Sequence, residues 1–468
     1  MTALAQVLEG RGVRVSGSDT TQQFYTDVVL RRAGISFVEG FAAINVPQSV
    51  DLVIHSTAYD EDHVEVAEAL RRGLSITTYP EALAAIFNAG RGVAVCGTHG
   101  KSTTTAMLGW VLAEAGLDPT VIVGAEVPQF GGNARVGHSD LVIVEADEYQ
   151  NKFHALDPYG IVLTSIEYDH PDFFPTPEAY VDAFRTFVRK LPPDGFLIAC
   201  VDDPKVMEIA RAARCTVIPY GLTLPPTPPL PEGWGEAKKA FSPSKSEGER
   251  EGEDASHIEL LIPGRHNIQN ALGVLAAAER LGVPRDTAFR ALASFQGTRR
   301  RFEVIGSVKH SVFDTSDTVV IDDYGHHPTE IRVTLAAARA KYHGRRILCA
   351  FHPHTFTRTI ALKNEFATAF VSADHTYVMD IFGSARERQG GITAAGLAAA
   401  IAAHSPAVPS GNVEQTVETL LRDVRPGDVV ICMGAGENDR VARGLVARIR
   451  TTRAATPPIA IPRMDVKE

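Results

Sequence analysis

The chain has 468 residues, 44% of them hydrophobic and 22% charged, with a formal net charge of -10. That length predicts about three domains, and the composition is that of a soluble globular protein. The acidic balance excludes nonspecific nucleic-acid binding but leaves small anionic ligands open, because those answer to local fields. No apolar run approaches the roughly 18 residues that span a bilayer, and the N-terminus lacks the basic-then-apolar layout of a secretory signal. Five cysteines, Cys96, Cys200, Cys215, Cys349 and Cys432, are scattered in apolar runs without a CxxC pair. They read as buried, reduced thiols of a cytoplasmic protein.

Residues 1–90 open with helical spacing, Leu4, Val7 and Leu8. An apolar strand ending Val13-Arg14-Val15 and a turn at Ser16–Asp19 are expected next. A polar helical stretch leads to Ile35-Ser36-Phe37, then come a strand from Asp51 to Ala58, a helix from Glu65 to Arg72 and a strand at Ile76-Thr77-Thr78. Such alternation predicts an open parallel α/β sheet with ligands at the strands' carboxyl ends. Those ends carry Ser16, Ser18, Asp19, His55 and Ser56; polar turns of this kind are equally common where nothing binds. A sheet of this type opens with a strand and a glycine turn. This chain begins inside the following helix, so the first strand is expected upstream or from another source.

The next stretch organises the chain. Val93-Ala94-Val95-Cys96 reads as a short buried strand, followed by Gly97-Thr98-His99-Gly100-Lys101-Ser102-Thr103 and a helix with Met107, Leu108, Val111 and Leu112 on one side. Strand, glycine loop, Lys-Ser/Thr and helix is the construction that wraps backbone N–H groups around a nucleotide triphosphate. Lys101 is expected on the β/γ phosphates and Ser102 on Mg²⁺. The loop is a shortened one, with Val95 where the usual pattern has its first glycine. A strand-to-helix turn that carries a lysine by chance is the plainer alternative.

Asp140–Val144 is expected as a buried strand delivering Glu145, Asp147 and Glu148. Carboxylates at a strand tip beside a phosphate loop suit a hard, oxygen-liganded cation, and Glu145 is the favoured ligand. The following strand, Gly160–Thr164, leads to Tyr168-Asp169-His170, which places His170 on the same crevice if the strands are neighbours. A flexible insertion is expected over 222–257, a run rich in Pro, Gly, Glu, Lys and Ser. Asn267 and Asn270 then share one face of an alanine-rich helix, where their amides can pair with an adenine edge or simply cap and pack.

Arg299-Arg300-Arg301 marks a boundary near residue 298. Beyond it, strands at Val319–Ile321, Ile347–Phe351, Thr376–Met379 and Asp428–Met433 predict a second parallel α/β sheet with polar residues at its strand ends. Residues 451–468 read as a loose tail.

In order, GTHGKSTTT, VEADEY, IEYDHPD, PGRHNIQNA, RRRFE, DDYGHHPTEI, PHTFTRT and MGAGEN resemble the motif series of the Mur ligase family, over nearly the whole chain. The resemblance implies three domains. They are a Rossmann-like UDP-sugar domain over 1–90 without its first strand and GxGGxG turn, a central P-loop ATPase-type α/β domain over 91–297, and a C-terminal Rossmann-like α/β domain over 298–450. It implies an ATP- and Mg²⁺-dependent ligase of peptidoglycan precursor synthesis that joins L-alanine to the carboxylate of UDP-N-acetylmuramate through an acyl phosphate. No nucleic acid or membrane is implied as a partner. By resemblance, Ser102 and Glu145 hold one Mg²⁺, and Glu145 with His170 a second. Asn267, Asn270, Arg301 and Asp323 contact the nucleotide. Tyr324, His326, His354 and Arg358 form the amino-acid pocket, Arg358 pairing with the incoming carboxylate. Thr355 stands where many alanine-adding members carry Arg. Competing readings are a ligase that attaches a tripeptide to the same sugar, a P-loop switch protein without ligation, and an NAD-type oxidoreductase, which the missing glycine turn disfavours.

Overall fold

The computed structural model describes residues 1–22, 25–223, 258–309, 316–383 and 390–455. It divides into two compact units, Met1–Arg299 and Arg300–Glu468. All but Leu222 and Thr223 of the expected insertion lie outside the described residues, as does the chain beyond Ala455.

The first helix, Thr2–Gly10, ends in a turn that takes Val13 with it. Gly12 adopts φ 82°, its N–H reaching Glu9 O at 2.9 Å while the Val13 N–H reaches Leu8 O at 3.0 Å, the double bond of a glycine-terminated helix. Val13 is therefore spent on the helix stop and is 48% exposed. The strand expected over Val13–Val15 starts later, as β1 (Ser16–Asp19), pairing in parallel with β2 (Ser36–Glu39). β3 (Val53–His55) pairs in parallel with β4 (Ile76–Thr78). The expected parallel alternation is present, as two separate pairs of strands among the described residues. Helix Tyr79–Asn88 follows at once, its start fixed by Glu81 accepting the Thr78 N–H at 2.9 Å.

The central sheet contains β5 (Arg91–Cys96), β6 (Thr120–Val127), β7 (Gly132–Arg135), β8 (Leu141–Glu145), β9 (Gly160–Leu163), β10 (Phe196–Cys200) and β11 (Thr216–Tyr220). Their order is β11-β10-β9-β5-β8-β6-β7, parallel except for β7 against β6. β5, β8, β9 and β10 are apolar and buried almost end to end, the pattern of a sheet covered on both faces. Because β5 lies between β9 and β8, the chain leaves it toward one side and returns on the other. The crevice at the carboxyl end of such a strand is where open α/β sheets bind ligands. Helix Lys101–Glu114 is buried on nearly every side, packed against helices Arg265–Arg280 and Arg285–Ala293.

In the second unit β12 (Glu303–Val308), β13 (Thr318–Asp323), β14 (Ile347–His352), β15 (His375–Met379), β16 (Ala407–Gly411) and β17 (Val429–Gly434) run in the order β12-β13-β17-β14-β15-β16. Only β12 is antiparallel. The last helix, Asn438–Ala455, continues past Thr451, where a tail was expected. Cys96, Cys200, Cys349 and Cys432 are buried and all five thiols are free. Burial pushes the Cys200 thiol up to about 12, which makes it an unreactive packing residue. No helix among the described residues is long and apolar enough to cross a membrane.

Phe87, fully buried, joins helix Tyr79–Asn88 to β5. Its ring occupies the space over Gly92, where an added Cβ would sit 2.4 Å from Cε1. Phe87→Ala is expected to lower unfolding free energy by about 3–5 kcal/mol, read from denaturant melts of the two proteins.

Candidate active site

At the end of β5 the backbone turns through Gly97 with φ 131°. A Cβ there would lie 2.2 Å from Thr164 Oγ1 and 2.8 Å from Ser165 O, so only glycine fits. The loop is tied to the end of β9: the Thr98 N–H donates to Ser165 O at 2.7 Å, the His99 N–H to Ser165 Oγ at 3.1 Å, and Thr164 Oγ1 to His99 O at 2.6 Å. His99 Nε2 sits 2.9 Å from Glu167 Oε2. Gly100, at φ 81°, starts helix Lys101–Glu114. The free N–H groups and positive dipole end of that helix, from Lys101 through Ser102 to Thr103, make an anion-binding position.

The expected metal and phosphate residues gather there. Ser102 Oγ donates to Glu145 Oε1 at 2.8 Å, and the Gly124 N–H donates to Glu145 Oε2 at 2.6 Å. Lys101 Nζ donates to Gly97 O at 2.6 Å and Thr98 O at 3.1 Å, and pairs with Glu148 at 3.0 Å. His170 joins through the same carboxylate, its Nε2 3.7 Å from Glu148 Oε1. The imidazole is set by a left-handed backbone, φ 55°, and by the Tyr149 ring, 4.7 Å away between centroids. Tyr149 is anchored in turn by its hydroxyl on Asp172 at 2.8 Å.

Burial works against the Lys101 ammonium, but Glu148, with Asp147 and Glu145 beyond it, outweighs burial and holds the lysine above its ordinary pKa. Glu148, only 1% exposed, was named in the sequence merely as one acidic residue at a strand tip. Its inward aim depends on the turn that follows, where Gln150 and Asn151 both adopt left-handed backbone, and no spacing rule signals that.

Asn267 and Asn270 are buried at the start of helix Arg265–Arg280. Asn267 Nδ2 donates to Pro263 O at 2.6 Å, and Asn270 Nδ2 faces Asn267 Oδ1 at 3.4 Å. An added Cβ on Gly100 would meet Asn270 Oδ1 at 2.6 Å, so this pair lies against the phosphate loop. Beside it a cavity of ≈ 230 Å³ reaches from Lys101, Glu145 and Asp147 to Tyr79, Leu83 and Phe153.

The residues expected at the UDP-sugar fall into two groups on separate strand pairs. Ser18 hydrogen-bonds Glu65 and Asp19 Oδ1 accepts the Thr20 N–H at 2.8 Å, while Ser16 is exposed at the start of β1. His55 Nδ1 lies 3.2 Å from both Ser56 O and Tyr59 O, and Ser56 Oγ accepts the Ala58 N–H.

In the second unit Tyr324, His326, His354 and Arg358 come together. The His326 ring is 5.5 Å from Tyr324 and 6.0 Å from His354, and Arg358 Nη1 is 3.4 Å from His354 Nδ1. Thr355 supports them at φ 68°. Arg301 pairs with Glu330 at 3.2 Å and lies over the Tyr324 ring. Asp323 is buried, and burial pushes its pKa up to about 6 against the pull of Arg301. Both its oxygens accept backbone N–H groups, from Phe302 at 2.8 Å and Gly325 at 2.7 Å.

Ser102 Oγ and Glu145 offer hard oxygen donors, with the imidazole of His170 nearby through Glu148, a donor set that fits a divalent cation. A glycine loop, a lysine and such oxygens at the head of a helix can bind a polyphosphate and stabilise charge moving on its terminal group.

Three family models match the chain. The model described as "Mur ligase family, catalytic domain" covers residues 1–91, "Mur ligase middle domain" covers 95–278 and "Mur ligase, glutamate ligase domain" covers 300–436. A protein named UDP-N-acetylmuramate–L-alanine ligase from Desulfitobacterium hafniense (strain Y51) is 38% identical over 457 residues, spanning 95% of this chain and 97% of its own length. The chain is similar in fold to the crystal structure of a UDP-N-acetylmuramate-alanine ligase from Thermotoga maritima, with TM-score 0.75 and 23% identity over 97% of each chain. It is also similar to a murein peptide ligase from Psychrobacter arcticus 273-4, with TM-score 0.67 and 24% identity over 98% of this chain and 97% of that one. At those identities the two structural likenesses bear on the fold alone.

Because Gly100 is left-handed and touches Asn270, Gly100→Ala is expected to cost about 1–2 kcal/mol in backbone strain, with a further steric part. In an Asn270→Ala background the steric part disappears, so unfolding measurements on the four proteins should show a coupling of about 0.5 kcal/mol or more.

Proposed function

We infer that this chain, which belongs to the Mur ligase family, is an ATP-dependent ligase that joins L-alanine to the carboxylate of UDP-N-acetylmuramate. The observation that carries the reading is Lys101, Ser102 and Glu145 converging at the head of a glycine loop and helix, in a chain so similar to a ligase of that name. An ATP-dependent reaction on a nucleotide sugar is assigned to the cytoplasm.

A carboxylate does not acylate an amine unaided, because its oxide is a poor leaving group. In the proposed sequence a carboxylate oxygen of the sugar attacks the γ-phosphorus of ATP and ADP leaves. The amine nitrogen of L-alanine then attacks the acyl carbon, and phosphate departs from the tetrahedral adduct. The chain's task is to place and neutralise phosphate, so no nucleophilic side chain is required. The N–H groups of Gly100 to Thr103 and the Lys101 ammonium receive the β and γ phosphates, and Gly97, Thr98 and His99 shape the loop around them. Asn267 and Asn270 are assigned to adenine, and Arg301 and Asp323 to the nucleotide. Tyr324, His326, His354 and Arg358 are assigned to the amino acid, with Arg358 on its carboxylate. Ser16, Ser18, Asp19, His55 and Ser56 are assigned to the UDP-sugar. Ser102, Glu145 and His170 are the residues that would hold Mg²⁺. Bound there, the cation would offset the charge of the phosphates. The three-domain division at about residues 90 and 298 belongs to the same reading.

Phosphate release from ATP tests the proposal. It is expected only when UDP-N-acetylmuramate and L-alanine are both present, and Lys101→Ala is expected to lower the rate by about 10²-fold or more. Turnover that ignores either co-substrate would favour a nucleotide switch instead. Release with a tripeptide in place of L-alanine, and not with L-alanine, would favour the ligase that attaches a tripeptide to the same sugar.

A further inference from the structure

An ammonium group has three N–H donors, and Lys101 has three acceptors around it. Two are neutral, the carbonyl oxygens of Gly97 and Thr98 in its own loop. The third is Glu148, whose carboxylate oxygens lie 3.1 and 3.0 Å from Nζ. Glu148 is itself held from behind. The Tyr180 hydroxyl lies 3.3 Å from Glu148 Oε1 and 2.9 Å from Thr98 Oγ1. The Tyr180 ring is wedged between Phe174 and Phe184, at 5.0 and 5.1 Å between centroids. A line of packed contacts therefore runs from the aromatic core through Tyr180 and Glu148 to the lysine. Glu148 is too deeply buried to meet a triphosphate directly, and the roles assigned above leave it unused.

We propose that Glu148 is the positioning residue for Lys101, keeping the ammonium aimed within the Gly97–Gly100 loop so that an arriving triphosphate meets a lysine already in place. The inference rests on the assignment of that loop to ATP. It also carries an unusual sign. A carboxylate near a phosphate site repels the ligand, so by charge alone Glu148→Gln would tighten nucleotide binding. A positioning role demands the opposite, because the amide leaves Lys101 without its anionic partner and the lysine spreads over other rotamers.

The experiment measures equilibrium binding of the β,γ-imido analogue of ATP with Mg²⁺ to the full chain, alongside kcat and KM in the ligase assay. Glu148→Gln is expected to raise the analogue Kd and the KM for ATP about tenfold, with the KM values for UDP-N-acetylmuramate and L-alanine within about twofold of wild type. Glu148→Asp is expected to recover part of the loss. Tyr180→Phe, which keeps the ring packing, is expected to shift the same two constants about threefold in the same direction, and it supplies the readout should the glutamine variant not fold. Adding Glu148→Gln to Lys101→Ala is expected to weaken binding no further. An unchanged or tighter Kd in Glu148→Gln overturns the proposal. So does an unchanged Kd in Tyr180→Phe where that variant alone folds, or additivity with Lys101→Ala. A wild-type chain that binds no analogue overturns the assignment of the loop to ATP and this inference with it.

Discussion

A lysine largely withdrawn from water at the first position of a helix faces two penalties. Burial strips water from its ammonium, and the positive end of the helix dipole repels it. Lys101 accepts both, and the surroundings are arranged to offset them. Two carbonyls of its own loop and the Glu148 carboxylate surround it, while Glu145 takes the hydroxyl of Ser102 one residue on. The cluster is balanced by anions of the protein, and its cationic and dipolar side remains suited to an anion from outside. The order of strands follows from the same need. β5 must lie between β8 and β9 for Glu145 and His170 to come from its two flanks.

Glycine at two positions lets the backbone carry this charge. Gly97 leaves no space for a Cβ against Thr164 and Ser165, and Gly100 leaves none against Asn270. The loop is consequently clamped on one side by β9 and on the other by helix Arg265–Arg280. The left-handed residues Gln150, Asn151 and His170 lie around the same cluster, as strained backbone does where a site over-determines it.

The arginine run at the boundary behaves unlike the solvated face such runs usually form. The Arg299 N–H donates to Glu126 O at 2.8 Å in the first unit. In the second, Arg300 reaches Asp322 at 3.2 Å and Asn438 Oδ1 at 2.7 Å, and Asn438 Nδ2 returns to Asp322 Oδ1 at 2.8 Å. Burial lifts the Asp322 pKa to about 7 even with Arg300 beside it. This ties the MGAGEN segment to the DDYG strand end, a structural use for a motif that had no assigned chemistry. Arg301 is left to pair with Glu330 over Tyr324.

The sequence by itself determined what local chemistry dictates: the strand–glycine loop–helix, the carboxylates at the end of β8, the parallel strands of both larger sheets and the order of motifs. Each of these is written in contiguous residues, where apolar runs, glycines and charges constrain the backbone directly. It misplaced the first strand, because the stop of helix Thr2–Gly10 at Gly12 outcompeted the apolar Val13–Val15 for backbone partners. Only the tertiary structure decided which carboxylate meets Lys101. Glu145 and Glu148 are three residues apart and chemically alike, and the left-handed turn at Gln150 and Asn151, with Tyr180 from a position 32 residues beyond Glu148, sends one to the serine and buries the other against the lysine. Such a choice depends on packing between segments distant in the chain, which no periodicity within either segment records.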